Sequence, residues 1–268
     1  MLPPLVAAVL GPLVAAVVWR VGLLTTSGAC VAGVLGSAAA LAGPDWMILL
    51  LSFFVSSVLL GRVGRATKQS RSADVIEKAG PRDATQVLAN GAIFGCGAAL
   101  VASGHLAAAT PAVALGALAA ATADTWGTEI GMLSRTAPRS ILTWAPMTPG
   151  MSGGVSTEGL AATVAGAALL ATLAWSLGWT AVTASAAAIG GIAGAMADSV
   201  LGATLQQRRR SLRTGGMTER FTDVDGTPTT PAGGLAWLNN DGVNFAATVI
   251  GAGTAHQFHV LLSALGPS

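Results

Sequence analysis

The sequence predicts an all-α fold: a polytopic transmembrane helical bundle of about eight spans, with short turns on one side and long loops on the other. Three observations carry this. The chain is 52% hydrophobic and only 10% charged, whereas soluble domains carry about 25% charged residues. Its mean hydropathy is +0.65. Apolar stretches of roughly 18 residues or more recur along it, the length that crosses a hydrocarbon core about 30 Å thick.

Taken in order, the apolar runs place spans at about 3–19, 24–42, 46–61, 90–108, 111–130, 159–177, 180–200 and 242–264. The first is short and carries Pro4 and Pro12, and no Lys or Arg precedes it. It is therefore expected to be a true span rather than a signal peptide. Tight turns are marked by "AGPD" at 42–45, "ATP" at 109–111 and "LGW" at 177–179. Cys30 and Cys96 fall inside apolar runs and are expected to be small buried hydrophobes rather than a disulfide or a metal pair. Residues 1–268 form a single membrane domain on this count, with no loop large enough to fold alone.

The 14 Lys and Arg residues sort onto one side. They fall after the first, third, fifth and seventh spans, at Arg20, 62–82, Arg135 and Arg139, and 208–220. The positive-inside rule makes that side cytoplasmic and puts both termini outside. The inner loops 62–89, 131–158 and 201–241 are then the long ones, and any chemistry belongs there. "RVGRATKQSR" spaces its cations by three along a helical stripe. That stripe and "RRR" at 208–210 read chiefly as headgroup anchors. Trp126, Trp144 and Trp237 read as interfacial anchors, and His105, His256 and His259 as a polar rim at the outer end.

Acids inside spans are costly and demand a cation, a proton or a function. Asp124 lies 13 residues past Pro111, about 20 Å along a helix. Asp198 sits near the inner end of its own span, and "AATADTWG" echoes "GAMADSVLG", which suggests duplicated hairpins. Both lie toward helix C-termini, where the dipole is negative. A divalent cation would relieve both penalties; neutralisation by arginine or retention of a proton are the alternatives. Glu129 is five residues after Asp124, about 140° around the helix, and joins it only if the helix breaks near Gly127.

Three further spans start on the basic side, each behind a polar motif: "PRDATQVLANG", "PGMSGGVSTEG" and "WLNNDGVNF". Helix N-termini attract anions. Arg82 stands beside Gln86 and Asn90 as a candidate phosphate site, with ordinary anchoring as the alternative. The Gly-rich segment with Ser152, Ser156 and Thr157 suits an anion nest or a plain turn. Asn240 or Asp241 is expected to cap its helix, and Asn240 shares a face with Asn244. No phosphate loop of the GxxxxGK[ST] or GxGxxG type occurs in suitable context, which argues against a soluble-type nucleotide fold.

"QVLANG" (86–91), "ADTWGTEIG" (123–131), "PGMSGGVSTEG" (149–159), "MADSVLGATLQ" (196–206) and "LNNDGVNF" (238–245) together resemble the integral membrane family catalogued as domain of unknown function 92, which includes the plant phytyl-phosphate kinases. The resemblance covers about residues 60–268. It implies phosphorylation of a prenyl (phytyl- or geranylgeranyl-type) monophosphate to the diphosphate by a nucleoside triphosphate, CTP favoured. It implies Mg²⁺ held by Asp124, Glu129 and Asp198, and phosphate or nucleotide contacts from Arg82, Gln86, Asn90, Ser152, Gly153, Gly154, Asn239, Asn240 and Asp241. Ser156 and Asn244 join that phosphate-facing set through their motifs, and Asp124, Asp198 and Asp241 are the catalytic candidates. Transfer to a monophosphate needs no strong base, whereas an alcohol acceptor would call on Asp241. Membrane lipids are implied partners, nucleic acid is not, and a homo-oligomer is left open. The rival expectation is a transporter using the intramembrane acids as ion-coupling sites, and a scaffolding membrane protein is a third.

Overall fold

A computed structural model describes residues 3–78 and 80–265. Among the described residues the chain forms nine α-helices: α1 (Pro4–Arg20), α2 (Thr26–Ala42), α3 (Pro44–Arg62), α4 (Arg65–Ser72), α5 (Ala84–Ala102), α6 (Thr110–Gly131), α7 (Thr157–Ser176), α8 (Ala181–Thr204) and α9 (Asn240–Leu265). Four of them, α3, α5, α7 and α8, are long and apolar enough to cross a membrane. Helices α1 and α2 are apolar but have 17 residues each. Helices α6 and α9 are longer but carry the acids and amides of the motifs.

The helices follow the apolar runs closely, with one displacement. The fourth expected span begins at Ala84, not near residue 90, and ends at Ala102. The cause is a capping box. The Asp83 carboxylate accepts from the Gln86 backbone N–H at 2.9 Å, and the Gln86 side chain accepts from the Asp83 N–H at 3.1 Å. Gln86 and Asn90 therefore stand on the first two turns of a helix, not ahead of it. The inner loops also hold two small antiparallel sheets, β1 (Arg139–Ser140) with β2 (Gly154–Val155), and β4 (Met217–Thr218), β3 (Arg208–Arg210) and β5 (Thr230–Gly233) in that order. The all-α expectation missed them because strands of two to four residues leave no alternation to read. Cys30 and Cys96 are free and face outward, so they are not core residues.

Helix α6 is the axis of the bundle, with Ala112, Ala114–Ala121 and Ala123 buried. It tolerates neighbours on several sides because those neighbours offer glycine where it offers alanine. A methyl group added to Gly191 would lie 2.7 Å from the Ala119 Cβ, and one added to Gly251 would lie 2.7 Å from the Ala120 Cβ. At Gly194 an added methyl would come within 2.7 Å of the Ala247 carbonyl oxygen. Small residues let helix backbones approach where lipid provides no hydrophobic drive between helices.

The bulky side chains gather elsewhere. Trp46 packs on Phe94 and Trp179 with ring centroids 5.2 and 5.1 Å apart, and Leu49, Leu115, Leu118 and Leu170 fill the space around them. The Trp179 indole N–H donates to the Asp45 carboxylate at 2.6 Å. This plugs the end of the bundle where α2–α3, α5–α6 and α7–α8 turn. Long segments meet at the other end. Replacing Gly194 with leucine should force α6, α8 and α9 apart and cost about 1–3 kcal/mol or more. The readout is a lowered midpoint of thermal unfolding in detergent; an unchanged midpoint would show that the close approach is not needed.

Candidate functional site

At the basic end a cavity of about 340 Å³ opens between the first turns of α5, α7 and α9 and the last turns of α6 and α8. Each helix start is fixed locally. Ser156 caps α7 by accepting from the Gly159 N–H at 3.1 Å, and Asn239 caps α9 by accepting from the Gly242 N–H at 3.0 Å. The cap of α9 is thus Asn239, one residue before the expected Asn240 or Asp241. The "MSGGV" loop crosses the end of α8 at Gly153, whose φ is +86°. A side chain there would run into the Ala203 backbone nitrogen at 2.8 Å. Only glycine meets both demands.

Asp124 on α6 and Asp198 on α8 both line this cavity. Asp198 is buried, and its Oδ2 has no hydrogen-bond partner. No ion pair forms at Asp124 among the described residues. Glu129 behaves otherwise. Helix α6 runs unbroken past Gly127 to Gly131, and Glu129 turns to the Lys68 ammonium of α4 at 2.5 Å. Lys68 is buried and also donates to the Leu60 carbonyl at 2.6 Å. Among the described residues no group of three or more His, Cys, Asp or Glu side chains converges as a ready metal site. The expected trio of Asp124, Glu129 and Asp198 is therefore not assembled, because Lys68 neutralises its third member. Asp241, buried at the start of α9, is likewise held by Lys78 at 2.6 Å.

Lys78 reaches the Asp83 carboxylate as well, at 2.9 Å, so one ammonium ties the starts of α5 and α9. Partial burial works against its charge, yet the two carboxylates outweigh that and hold its pKa above the ordinary lysine value. Glu219, which follows β4, is a cavity residue that the sequence did not disclose. Its carboxylate accepts from the Ser152 N–H at 2.8 Å, docking the 205–239 segment onto the Gly-rich loop. Burial pushes its carboxyl upward from 4.5, against the opposing pull of the Ser152 hydrogen bond. Nothing in "GGMTERF" sets this acid apart from a solvated loop residue.

Of the phosphate candidates, Arg82, Gln86, Asn90, Ser152, Gly153, Gly154, Ser156, Asn239, Asn240 and Asn244 all line the cavity. Arg82 is half-buried, its guanidinium 5.9 and 5.8 Å from the ring centroids of Phe53 and Phe54. That guanidinium meets no protein acceptor among the described residues, whereas its backbone is fixed by hydrogen bonds with Leu23 and Thr25. Asn90 donates to the Gln86 carbonyl at 3.0 Å. The Gly-rich loop is not a nest of free N–H groups: that of Ser152 goes to Glu219 and that of Gly154 to the Met151 carbonyl. The other cations are mostly employed in holding loops, beyond the anchoring expected of them. Arg71 donates to the Met132 and Ser134 carbonyls, Arg208 to those of Gly202 and Ala203, and Arg209 stacks on Phe221.

These features define a helical integral membrane protein with a polar, part-acidic cavity at its basic end. The sequence profile described as "Integral membrane protein DUF92" matches residues 9–252, and the chain belongs to that family. An uncharacterized membrane protein of Methanocaldococcus jannaschii is 32% identical over 218 residues, covering 78% of this chain and 74% of the relative. Protein PGR of Arabidopsis thaliana is 30% identical over 236 residues, covering 78% of this chain and 80% of the relative. No solved structure matches the chain significantly.

Because the folded-state pKa of Glu219 lies above the free value of 4.5, docking of the 205–239 segment is favoured at low pH. It weakens as pH rises through the folded-state value. Glu219→Gln should keep the Ser152 contact and flatten this dependence, and Glu219→Ala should release the segment at every pH. Hydrogen exchange of residues 205–239 measures both; identical protection in all three proteins would refute the docking role.

Proposed function

We propose that the protein is a membrane phosphotransferase that passes the terminal phosphoryl group of a nucleoside triphosphate to a prenyl monophosphate, giving the diphosphate. The observation that carries this reading is the juxtaposition in one cavity of Asp124 and Asp198, two acids without cationic partners among the described residues, and Arg82, an arginine without a protein acceptor among them. A site that must bind polyphosphate with a divalent ion needs both. All eight long helices serve as spans in this reading, and the clustering of Lys and Arg supports a cytoplasmic cavity by the positive-inside rule. CTP as the favoured donor follows from the family resemblance alone.

Magnesium fits the residues present. It takes one or two carboxylates and completes its shell with water and phosphate oxygens, and the unpartnered Oδ2 of Asp198 beside Asp124 offers that minimum. Asp124 and Asp198 would hold it, and it would supply neutralisation of charge on the transferring phosphoryl group. Glu129, spent on Lys68, is not among its ligands.

The chain's own residues do the rest. Arg82 binds the acceptor phosphate, and Gln86, Asn90 and Asn244 orient it toward the donor. An oxygen of that phosphate, already anionic, attacks the donor's terminal phosphorus in line. One P–O bond forms as the bond to the departing nucleoside diphosphate breaks. No base is required. The Lys78–Asp241 pair supports a monophosphate rather than an alcohol acceptor, since the Asp241 carboxylate is already occupied by the Lys78 ammonium at 2.6 Å. Transport is disfavoured because Trp46, Phe94 and Trp179 plug the opposite end.

The test incubates purified protein with Mg²⁺, each nucleoside triphosphate in turn, and geranylgeranyl or phytyl monophosphate. Diphosphate should form, and Asp124→Asn and Asp198→Asn should each lower the rate by about a hundredfold or more. Wild-type rates in both variants would remove the metal assignment. Flux of substrate into proteoliposomes without nucleotide use would replace the kinase with a transporter.

A further inference from the structure

A second cavity, about 90 Å³, lies between α1, α2, α3 and α5. Its walls are almost wholly apolar, with Val14, Leu35, Leu50, Phe53 and Phe54 among them. Its polar lining is confined to Arg82, Gln86 and Asn90. These three residues also line the large polar cavity. The two spaces therefore meet at one arginine, with carboxylates and amides on one side and hydrocarbon on the other.

The groove exists because the helices around it were given room in particular places. Gly36 lies so near α1 that an added methyl would come within 2.9 Å of the Gly11 Cα, which brings α1 and α2 together behind the groove. Gly91 leaves space for Leu35, whose Cδ1 would lie 2.9 Å from an added methyl. Along α3 the lining runs from Phe54 to Met47, and along α1 from Val18 to Gly11, a depth of about 10 Å at the helical rise. It stops against the buried Trp46, Leu49 and Phe94 cluster. Such a space admits one narrow chain and has no room for two.

We propose that this groove seats the head-proximal part of the acceptor's single apolar chain, with Arg82 holding the phosphate at its mouth. The proposal rests on the phosphotransferase reading for the identity of the acceptor. Phe53 and Phe54 fix the guanidinium at the polar–apolar border, and a phosphate monoester supplies the anion that the protein does not. The first three helices carry none of the family motifs, and the groove gives them a role in selecting the acceptor. Since only the first stretch of the chain is enclosed, chain length beyond it should be weakly discriminated.

A prenyl monophosphate bearing a diazirine on its second isoprene unit tests this without turnover. Photolysis in detergent micelles, followed by peptide mapping, should place adducts on α1, α2 or α3 at groove residues such as Val14, Leu35 and Leu50. Unlabelled geranylgeranyl monophosphate should compete, and inorganic phosphate and dioleoyl phosphatidic acid should not. Val14→Trp should lower labelling by about tenfold, and the milder Val14→Met should lower it in part while preserving the melting profile. Arg82→Gln should weaken retention of the probe and leave the position of the adducts unchanged. Adducts confined to the outward-facing Val6 and Val9, labelling indifferent to both Val14 substitutions, or equal competition by phosphatidic acid would each overturn the proposal. Labelling does not require phosphoryl transfer, so a protein that labels as described yet forms no diphosphate would refute the kinase reading and leave the groove assignment standing.

Discussion

Two carboxylates set the terms for this molecule. Asp124 and Asp198 enter one cavity from two alanine-rich helices, and Asp198 presents a buried oxygen with no partner among the described residues. An isolated charge at membrane depth is among the most expensive features a chain can carry. Both acids also lie toward the negative ends of their helices. Several other acids are met internally: Lys68 meets Glu129, Lys78 meets Asp241 and Asp83, and the Trp179 indole meets Asp45. Among the described residues, neither Asp124 nor Asp198 has a cationic partner.

The fold serves that pair. An alanine-rich α6 flanked by glycines on α8 and α9 brings the two acidic helices into backbone contact, closer than leucine-lined helices could approach. The capped starts of α5, α7 and α9 line the same cavity as the acids. Two lysines decide which acids remain open. The aromatic cluster of Trp46, Phe94 and Trp179 packs the far end of the bundle. Arg82 joins this polar chamber to an apolar groove, and the union of a polar pocket with a hydrocarbon slot is what the proposed lipid-phosphate substrate would require.

Most of the architecture was legible in the sequence. Apolar runs located eight of the helices, four of them long and apolar enough to cross a membrane, because length and hydropathy are written directly into composition. The sorting of cations pointed to the end of the bundle where the large cavity lies. The α5 start was misplaced since hydropathy cannot see a capping box whose polar residues, Asp83 and Gln86, belong to the helix they begin. For the site, spacing correctly raised the doubt about Glu129, but its partner Lys68 lies 61 residues away and no local pattern points to it. Lys78–Asp241 spans 163 residues and was equally invisible. Glu219 sits in a loop whose small sheet is too short to announce itself. The Gly-rich segment misled in a different way: its composition suits an anion nest, yet two of its N–H groups, those of Ser152 and Gly154, are committed to Glu219 and Met151. Composition tells what a backbone can adopt; only tertiary contacts tell what its donors are already doing.

Electron paramagnetic resonance of Mn²⁺, substituting for Mg²⁺ in the purified protein with a non-hydrolysable nucleoside triphosphate, tests the central claim most directly. The account predicts one saturable site that appears with the nucleotide, disappears in Asp198→Asn, is strongly weakened in Asp124→Asn and survives in Glu129→Gln. Undiminished Mn²⁺ binding in both aspartate variants, or its loss in Glu129→Gln alone, would contradict it.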